Sequence, residues 1–430
     1  MTKRSNFHGG AEGLSRRSVL QAGAGGLFMP SLAAGALGAG TPEAGANAPE
    51  GRQLVLIQLS GGNDGLSTIV PHGDDGLGSQ RKTTIPDRSK LLKIDDYRAF
   101  HPMLGAFRAE YDAGRLSIVE GCGYPDPVRS HFKSMEVWHT GSTRGRAASD
   151  GWIGKLAAQA WGRLAEPLSV VHFGGRAPYS VFSSTHPPVA VASPTAYRWM
   201  GEQDVYAMGG SAICEHEPSA EPGALAQANG EPRNAGRDRA LQLLRKTLDD
   251  ARESSERVRR AAGTYQTDVE YPTSALSGSL RDVAALISGG VGTRVFSVLD
   301  GGYDTHSAQL GRHSRKMSTL SSAVGAFLKD LRRSEAGRNT VVVVFSEFGR
   351  RVAENGSKGH DHGKAGPMLV FGAKVNGGLY GEHPSLTELD GGDLVHTTDF
   401  RSVYATLIER LFQADATAVL GGDYGRLAFL

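Results

Sequence analysis

Cysteine is nearly missing from this chain: Cys122 and Cys214 are the only two in 430 residues, and neither stands in a metal-type spacing. Zinc held by thiolates is thereby excluded. The pair is left either as one long-range disulfide, worth about 4 kcal/mol in the chain-entropy model, or as two buried free thiols. Excess charge is missing too. The formal net charge is +2, and the first 48 residues hold Lys3, Arg4, Arg16 and Arg17 against Glu12 and Glu43, so the remainder is close to neutral. Without a basic face, nucleic acid is not an expected partner. No long low-complexity tract follows the first fifty residues, and one large domain over residues 49–430 is expected.

The N-terminus lacks an apolar run fit to cross a bilayer. Ser15-Arg16-Arg17-Ser18-Val19-Leu20 is a twin-arginine pattern, followed by a Gly/Ala-rich segment and the small-residue cleavage signal Ala46-Asn47-Ala48. Gln21 and the repeated glycines make that segment too polar and flexible for a transmembrane anchor. Residues 1–48 are therefore expected to be an export signal read by the twin-arginine translocation machinery, with a periplasmic or extracellular mature protein. That route carries folded proteins, often loaded with a metal or cofactor, which mildly favours a metal site.

What the chain does have is a series of short apolar runs that end in polar turns. Leu54 to Leu59 leads into Ser60-Gly61-Gly62-Asn63-Asp64-Gly65, and Leu116 to Glu120 leads through a Pro/Gly turn to Ser130 and His131 at the start of a helix. A further strand is expected over Leu168 to Phe173. Arg294 to Leu299 ends in Asp300-Gly301-Gly302-Tyr303-Asp304-Thr305-His306, and Thr340 to Phe345 empties into Glu347, Arg350, His360, Asp361 and His362. Helical periodicity covers residues 104–113, 280–287 and 307–333, and Thr398 or Asp399 caps a final helix. Strands alternating with helices predict an α/β fold, a central, mostly parallel sheet sandwiched by helices. Residues 71–94 read as a solvated excursion, 209–236 as a loop or linker, and 237–265 as a charged surface helix.

In a parallel sheet the loops after three of these strands leave one edge together. Asn63-Asp64, Asp304-Thr305-His306, and Glu347 with Arg350 then converge, and His360 and His362 follow. Such an oxygen-rich set with one or two imidazoles suits zinc, manganese, calcium or magnesium. Each residue also has a plainer reading: Asp64 as a turn residue, Asp304 as a helix cap, Glu347 in a surface ion pair, His360 and His362 as solvated loop residues. Ser130 is either a nucleophile at a helix N-terminus or that helix's cap, and Arg129 and His131 beside it would suit a small anionic ester.

GGNDGLST (Gly61 to Thr68), RSHFKSMEVWHTG (Arg129 to Gly141), GGYDTH (Gly301 to His306) and SEFGRR with HDHG (Ser346 to Arg351, His360 to Gly363) closely resemble the domain of unknown function 1501 family. That family is grouped with alkaline phosphatases and sulfatases. The resemblance implies an alkaline phosphatase-like fold with a metal-centred hydrolase site. Asp64 looks like the first metal ligand, Asp304 and His306 the middle ones, Glu347 the next and His362 the last. The Arg129 to Gly141 segment looks like the nucleophile-bearing helix, and catalytic roles are expected for Ser130 and His131, with substrate binding by Asn63, Arg129, Arg350 and His360. The related hydrolases carry an Asp-His pair where this chain has Glu347-Phe348. The expected function is hydrolysis of phosphate or sulfate esters; the alternative is a non-catalytic binding protein that keeps the fold.

Overall fold

The computed structural model describes residues 51–143, 150–162, 166–186, 188–197 and 249–430. The expected export signal, the 209–236 loop and Cys214 lie outside the described residues. Cys122 is buried and unbridged among them. No helix of the described residues is long and apolar enough to cross a membrane.

Among the described residues nine strands form the main sheet: β1 (Gln53–Leu59), β2 (Leu116–Gly123), β3 (Val170–Phe173), β4 (Val189–Val191), β5 (Val295–Asp300), β6 (Thr340–Phe345), β7 (Gly366–Phe371), β8 (Gly378–Tyr380) and β9 (Thr398–Asp399). Their order is β8-β2-β7-β6-β1-β5-β3-β4, with β9 paired to β2. β1 lies parallel between β5 and β6, with Leu54 opposite both Val295 and Val341. Only β7 runs against its neighbours, β2 and β6. Its direction has a local cause: the 346–365 connection doubles back on itself, with an antiparallel bridge between Arg350 and His362.

The central strands are mostly apolar on both faces because both faces are covered. Val55, Ile57 and Leu59 enter one core with Val342 and Val344, while Leu54 and Leu56 enter the other with Val341, Val343 and Phe345. Helices α1 (Gly65–Thr68), α2 (Gly105–Asp112), α3 (His131–Thr140), α4 (Trp152–Ala160), α5 (Ala275–Ser288), α6 (Gln309–Leu331) and α7 (Phe400–Thr406) accompany the sheet. α5 and α6 supply Leu280, Val283, Met317, Leu320 and Phe327 to the first core. α3, α4 and α7 supply Trp138, Trp152, Val403 and Tyr404 to the second. Of the two candidate caps, Asp399 is the one that caps α7, accepting from the backbone N–H of Arg401. The chain is thus α/β, a mostly parallel sheet between helical layers.

The 71–94 segment differs from its sequence reading. Leu77, Arg81 and Thr84 are buried, and Arg81 donates to the carbonyls of Arg351 and Val352, which ties the segment to the loop beyond β6. The helix expected over 237–265 is described only from residue 249, and it runs to 264.

Candidate metal centre at the sheet edge

Because β1, β5 and β6 are adjacent and parallel, their carboxyl-terminal loops meet at one edge, and Arg350 braces them. Its buried guanidinium donates from Nε to the Gly62 carbonyl at 2.6 Å, from Nη1 to the His360 carbonyl at 2.9 Å, and from Nη2 to the carbonyls of Gly61 and Tyr303. Nη2 also binds Asp304 Oδ1 at 2.6 Å. A planar fork with five donors suits such cross-linking. Arg350 therefore stands here as a brace.

Three imidazoles surround Asp304. His306 Nε2 lies 3.0 Å and His362 Nε2 3.2 Å from Asp304 Oδ1, and His131 Nε2 lies 3.8 Å from Oδ2. The Nε2 atoms of His306 and His362 are 2.9 Å apart. One ligand atom each from His131, Asp304 and His362 falls within 4.8 Å of the others. Each imidazole is held from behind through Nδ1: His131 by Glu347 Oε1 at 2.9 Å, His306 by Asp361 Oδ1 at 3.2 Å, and His362 by the Arg129 carbonyl at 2.8 Å. Carboxylates and carbonyls only accept, so these partners take the Nδ1 protons and orient each ring with Nε2 toward Asp304. Imidazoles oriented by second acceptors around a carboxylate are what a divalent ion of borderline hardness requires, and the residues present fit one.

The electrostatics agree. Burial would raise Glu347, but hydrogen bonds from His131 and the Gly61 N–H outweigh it and hold the carboxyl below its ordinary value. Asp304 is lowered likewise, burial being outweighed by Arg350 and the imidazoles. Asp361 is lowered, chiefly by the Asn355 hydrogen bond. The Glu347 hydrogen bond raises His131, while burial lowers His362. Phe348 is buried beneath, its ring centroid 4.9 Å from that of His131 and 4.8 Å from that of His362. Only glycine fits under that ring: a Cβ on Gly62, at φ +74°, would lie 2.2 Å from Phe348 Cε2.

Of the five ligands implied by the resemblance, the fold brings together Asp304, His306 and His362. Glu347 stands one step back, behind His131. Asp64 lies elsewhere: it is fully buried, with Oδ2 bound by Arg81 Nη1 at 2.6 Å and Gln309 Nε2 at 2.5 Å. Burial pushes its pKa up, but the Arg81 charge overrides this and holds it far below the carboxylate range. Asn63 and His360 are likewise turned into the fold. Asn63 bonds Thr68 and His313, and His360 Nε2 meets Thr84 Oγ1 at 2.8 Å. Arg129 has a side chain 40 % exposed and gripped by the buried Asp393 at 2.5 Å. Ser130 occupies the N-cap position of α3, but its side chain makes no capping hydrogen bond.

Arg81, Gln309, His313 and Asp393 carried no usable signal. They lie in a loop, on a helix or in a two-residue strand without a motif, and their partners are far away in sequence.

An α/β sheet whose aligned strand ends carry a His/Asp cluster defines the class to which this protein belongs. The chain is a member of the family described as protein of unknown function (DUF1501), which matches residues 206–427. Among solved structures, it is similar to a protein of the alkaline phosphatase superfamily from Vibrio parahaemolyticus, at 11% identity over 87% of this chain and 69% of that one, with a TM-score of 0.38. It is also similar to the PsFucS1 sulfatase from Pseudoalteromonas sp., at 11% identity over 87% and 70%, TM-score 0.36. A third similarity is to the lipoteichoic acid synthase LtaP from Listeria monocytogenes, at 8% identity over 88% and 74%, TM-score 0.30. No curated protein matches the chain.

Proposed function

We propose that the protein is an exported, metal-dependent hydrolase of phosphate or sulfate esters. The observation that carries this reading is the inward convergence of three Nε2 atoms on Asp304, each imidazole anchored through Nδ1. Asp304, His306, His362 and His131 would hold the ion. Bound there, a divalent metal would polarise the ester and stabilise the charge that builds on its nonbridging oxygens. Arg350 keeps the Asp304 carboxylate aimed at the cluster, and Glu347 keeps the His131 proton on Nδ1. Arg129, at the rim, supplies an exposed cation for the anionic group. Ser130 offers a hydroxyl uncommitted to its helix end, at the N-terminus of α3 where the helix dipole favours negative charge. Phe348 presents an apolar floor beneath His131 and His362.

The test is elemental analysis of the purified protein together with turnover on phosphate and sulfate mono- and diesters. Stoichiometric metal, lost in Asp304→Ala and His362→Ala along with turnover, is the expected result. A metal-free chain inactive across the panel would sink the proposal. Ser130→Ala separates routes: loss of turnover with metal retained supports a serine nucleophile, and full activity supports a water.

One observation favours a non-catalytic binding protein instead. Asp64, the implied first ligand, is locked in its ion pair with Arg81. Metal and anion binding without turnover would select that reading.

A further inference from the structure

Next to the His/Asp cluster lies a cavity of about 410 Å³, lined by Asp126, Pro127, Lys364, Asp390, Val395 and His396. It is continuous in chain with the centre. Lys364 is two residues beyond His362, so their Cα atoms are at most about 7.6 Å apart. Asp126 and Pro127 lie three and two residues before Arg129, whose carbonyl holds His362. One wall is a hairpin, Leu389–Asp390 paired with Asp393–Leu394, turned by Gly391 and Gly392 at φ +60° and +90°. Its two carboxylates pin three cations. Asp393, wholly buried, holds Arg129 at 2.5 Å, Arg351 at 3.4 Å and Lys364 at 3.8 Å, and Asp390 also binds Lys364. The wall is therefore built before any ligand arrives.

The uncommitted groups of the cavity tell what it would take. Asp126 is exposed, and neither it nor His396 has a hydrogen-bond or ion-pair partner among the described residues. Asp390 keeps one oxygen free beside Lys364, while Pro127 and Val395 add apolar surface. An aliphatic group would desolvate Asp126 and Asp390 without compensation. A second anion would be repelled by the same two carboxylates. Hydroxyl groups satisfy them: each carboxylate oxygen accepts, the imidazole can donate or accept, and the C–H faces between hydroxyls rest on Pro127 and Val395.

We infer that this cavity is the leaving-group subsite of the enzyme and takes a neutral, hydroxyl-rich alcohol such as a sugar or cyclitol. The inference rests on the ester-hydrolase reading. Water attacks the phosphorus or sulfur, the bond to the bridging oxygen breaks, that oxygen takes up a proton, and the acid and the free polyol leave. The anionic group sits at the cluster, and the polyol sits over Asp126 and His396.

The test has two readouts, one of them independent of turnover. Saturation-transfer NMR with myo-inositol and methyl glucoside measures binding to the whole chain and to Asp126→Gly and His396→Ala. Glycine tolerates the φ of +53° that Asp126 adopts, so that variant keeps the loop. Weakening by about tenfold in either variant, as for one lost hydrogen bond, is the expected result. The kcat/KM ratio for glucose 6-phosphate or 6-sulfate over the matching phenyl ester should also fall by about tenfold. Absence of polyol binding, binding unchanged in both variants, or tighter binding of ethanolamine than of either polyol overturns the subsite, even if esters are hydrolysed. Polyol binding that both variants lose, with no ester turned over, keeps the cavity as a polyol site and removes the hydrolase reading alone.

Discussion

Glu347 Oε1 accepts the Nδ1 proton of His131 at 2.9 Å while also accepting the Gly61 N–H at 2.8 Å. One buried carboxylate thus fixes the ring that enters the cluster from α3 and the turn that follows β1. Glu347→Gln should cost about 10- to 100-fold in kcat/KM or in metal affinity, the usual effect of removing a carboxylate behind a ligating histidine. Steady-state kinetics and competitive chelation check it. Unchanged metal affinity and activity would detach Glu347 from the site.

The Asp64–Arg81 pair has no solvent access on either side chain. Arg81→Met leaves a buried carboxylate unpaired and should destabilise the protein by about 3–5 kcal/mol. Asp64→Asn in the same chain should recover most of that loss. Urea unfolding of the parent, the single and the double variants checks this. A stable Arg81→Met protein would mean the pair contributes little.

Gly62→Ala should place a methyl group inside the Phe348 ring and strain a backbone at φ +74°. A loss of about 1–3 kcal/mol is expected from overpacking, with a larger fractional loss of activity, because Phe348 floors His131 and His362. Adding Phe348→Leu makes room and should restore stability more than activity. Thermal unfolding and turnover measured on both variants distinguish the two effects.

Burial lowers His101 to about 3, and His139 and His172 to about 4. The unfolded chain, with histidines near 6.5, then binds more protons than the folded chain, so stability rises with pH in this range. It is fully present above about pH 6.5 and should be lost as pH falls toward 4, by roughly 3 kcal/mol for His139 alone. His139→Asn, which keeps a polar group beside Gln58, should flatten that slope. Denaturant titrations at several pH values show whether it does.

Much of the sheet is legible in the chain. Leu54 to Leu59 and Thr340 to Phe345 are apolar runs broken only by Gln58 and Thr340, because each faces two cores, and alternation with helices implies parallel strands. Asp304, His306 and His362 are legible for the same reason: they follow strands whose parallel order brings their loops to one edge. Which groups face the centre was settled only in three dimensions. Asp64 sits in a loop as suggestive as that of Asp304, yet Arg81, 17 residues on, and Gln309, 245 residues on, draw it into the interior. Glu347 became a support because His131 arrives from a helix 216 positions earlier in the chain. Asp393 grips Arg129 across 264 positions. Hydrogen-bond satisfaction of a buried charge depends on every segment packed around it, and no local pattern encodes which distant segment will supply the partner.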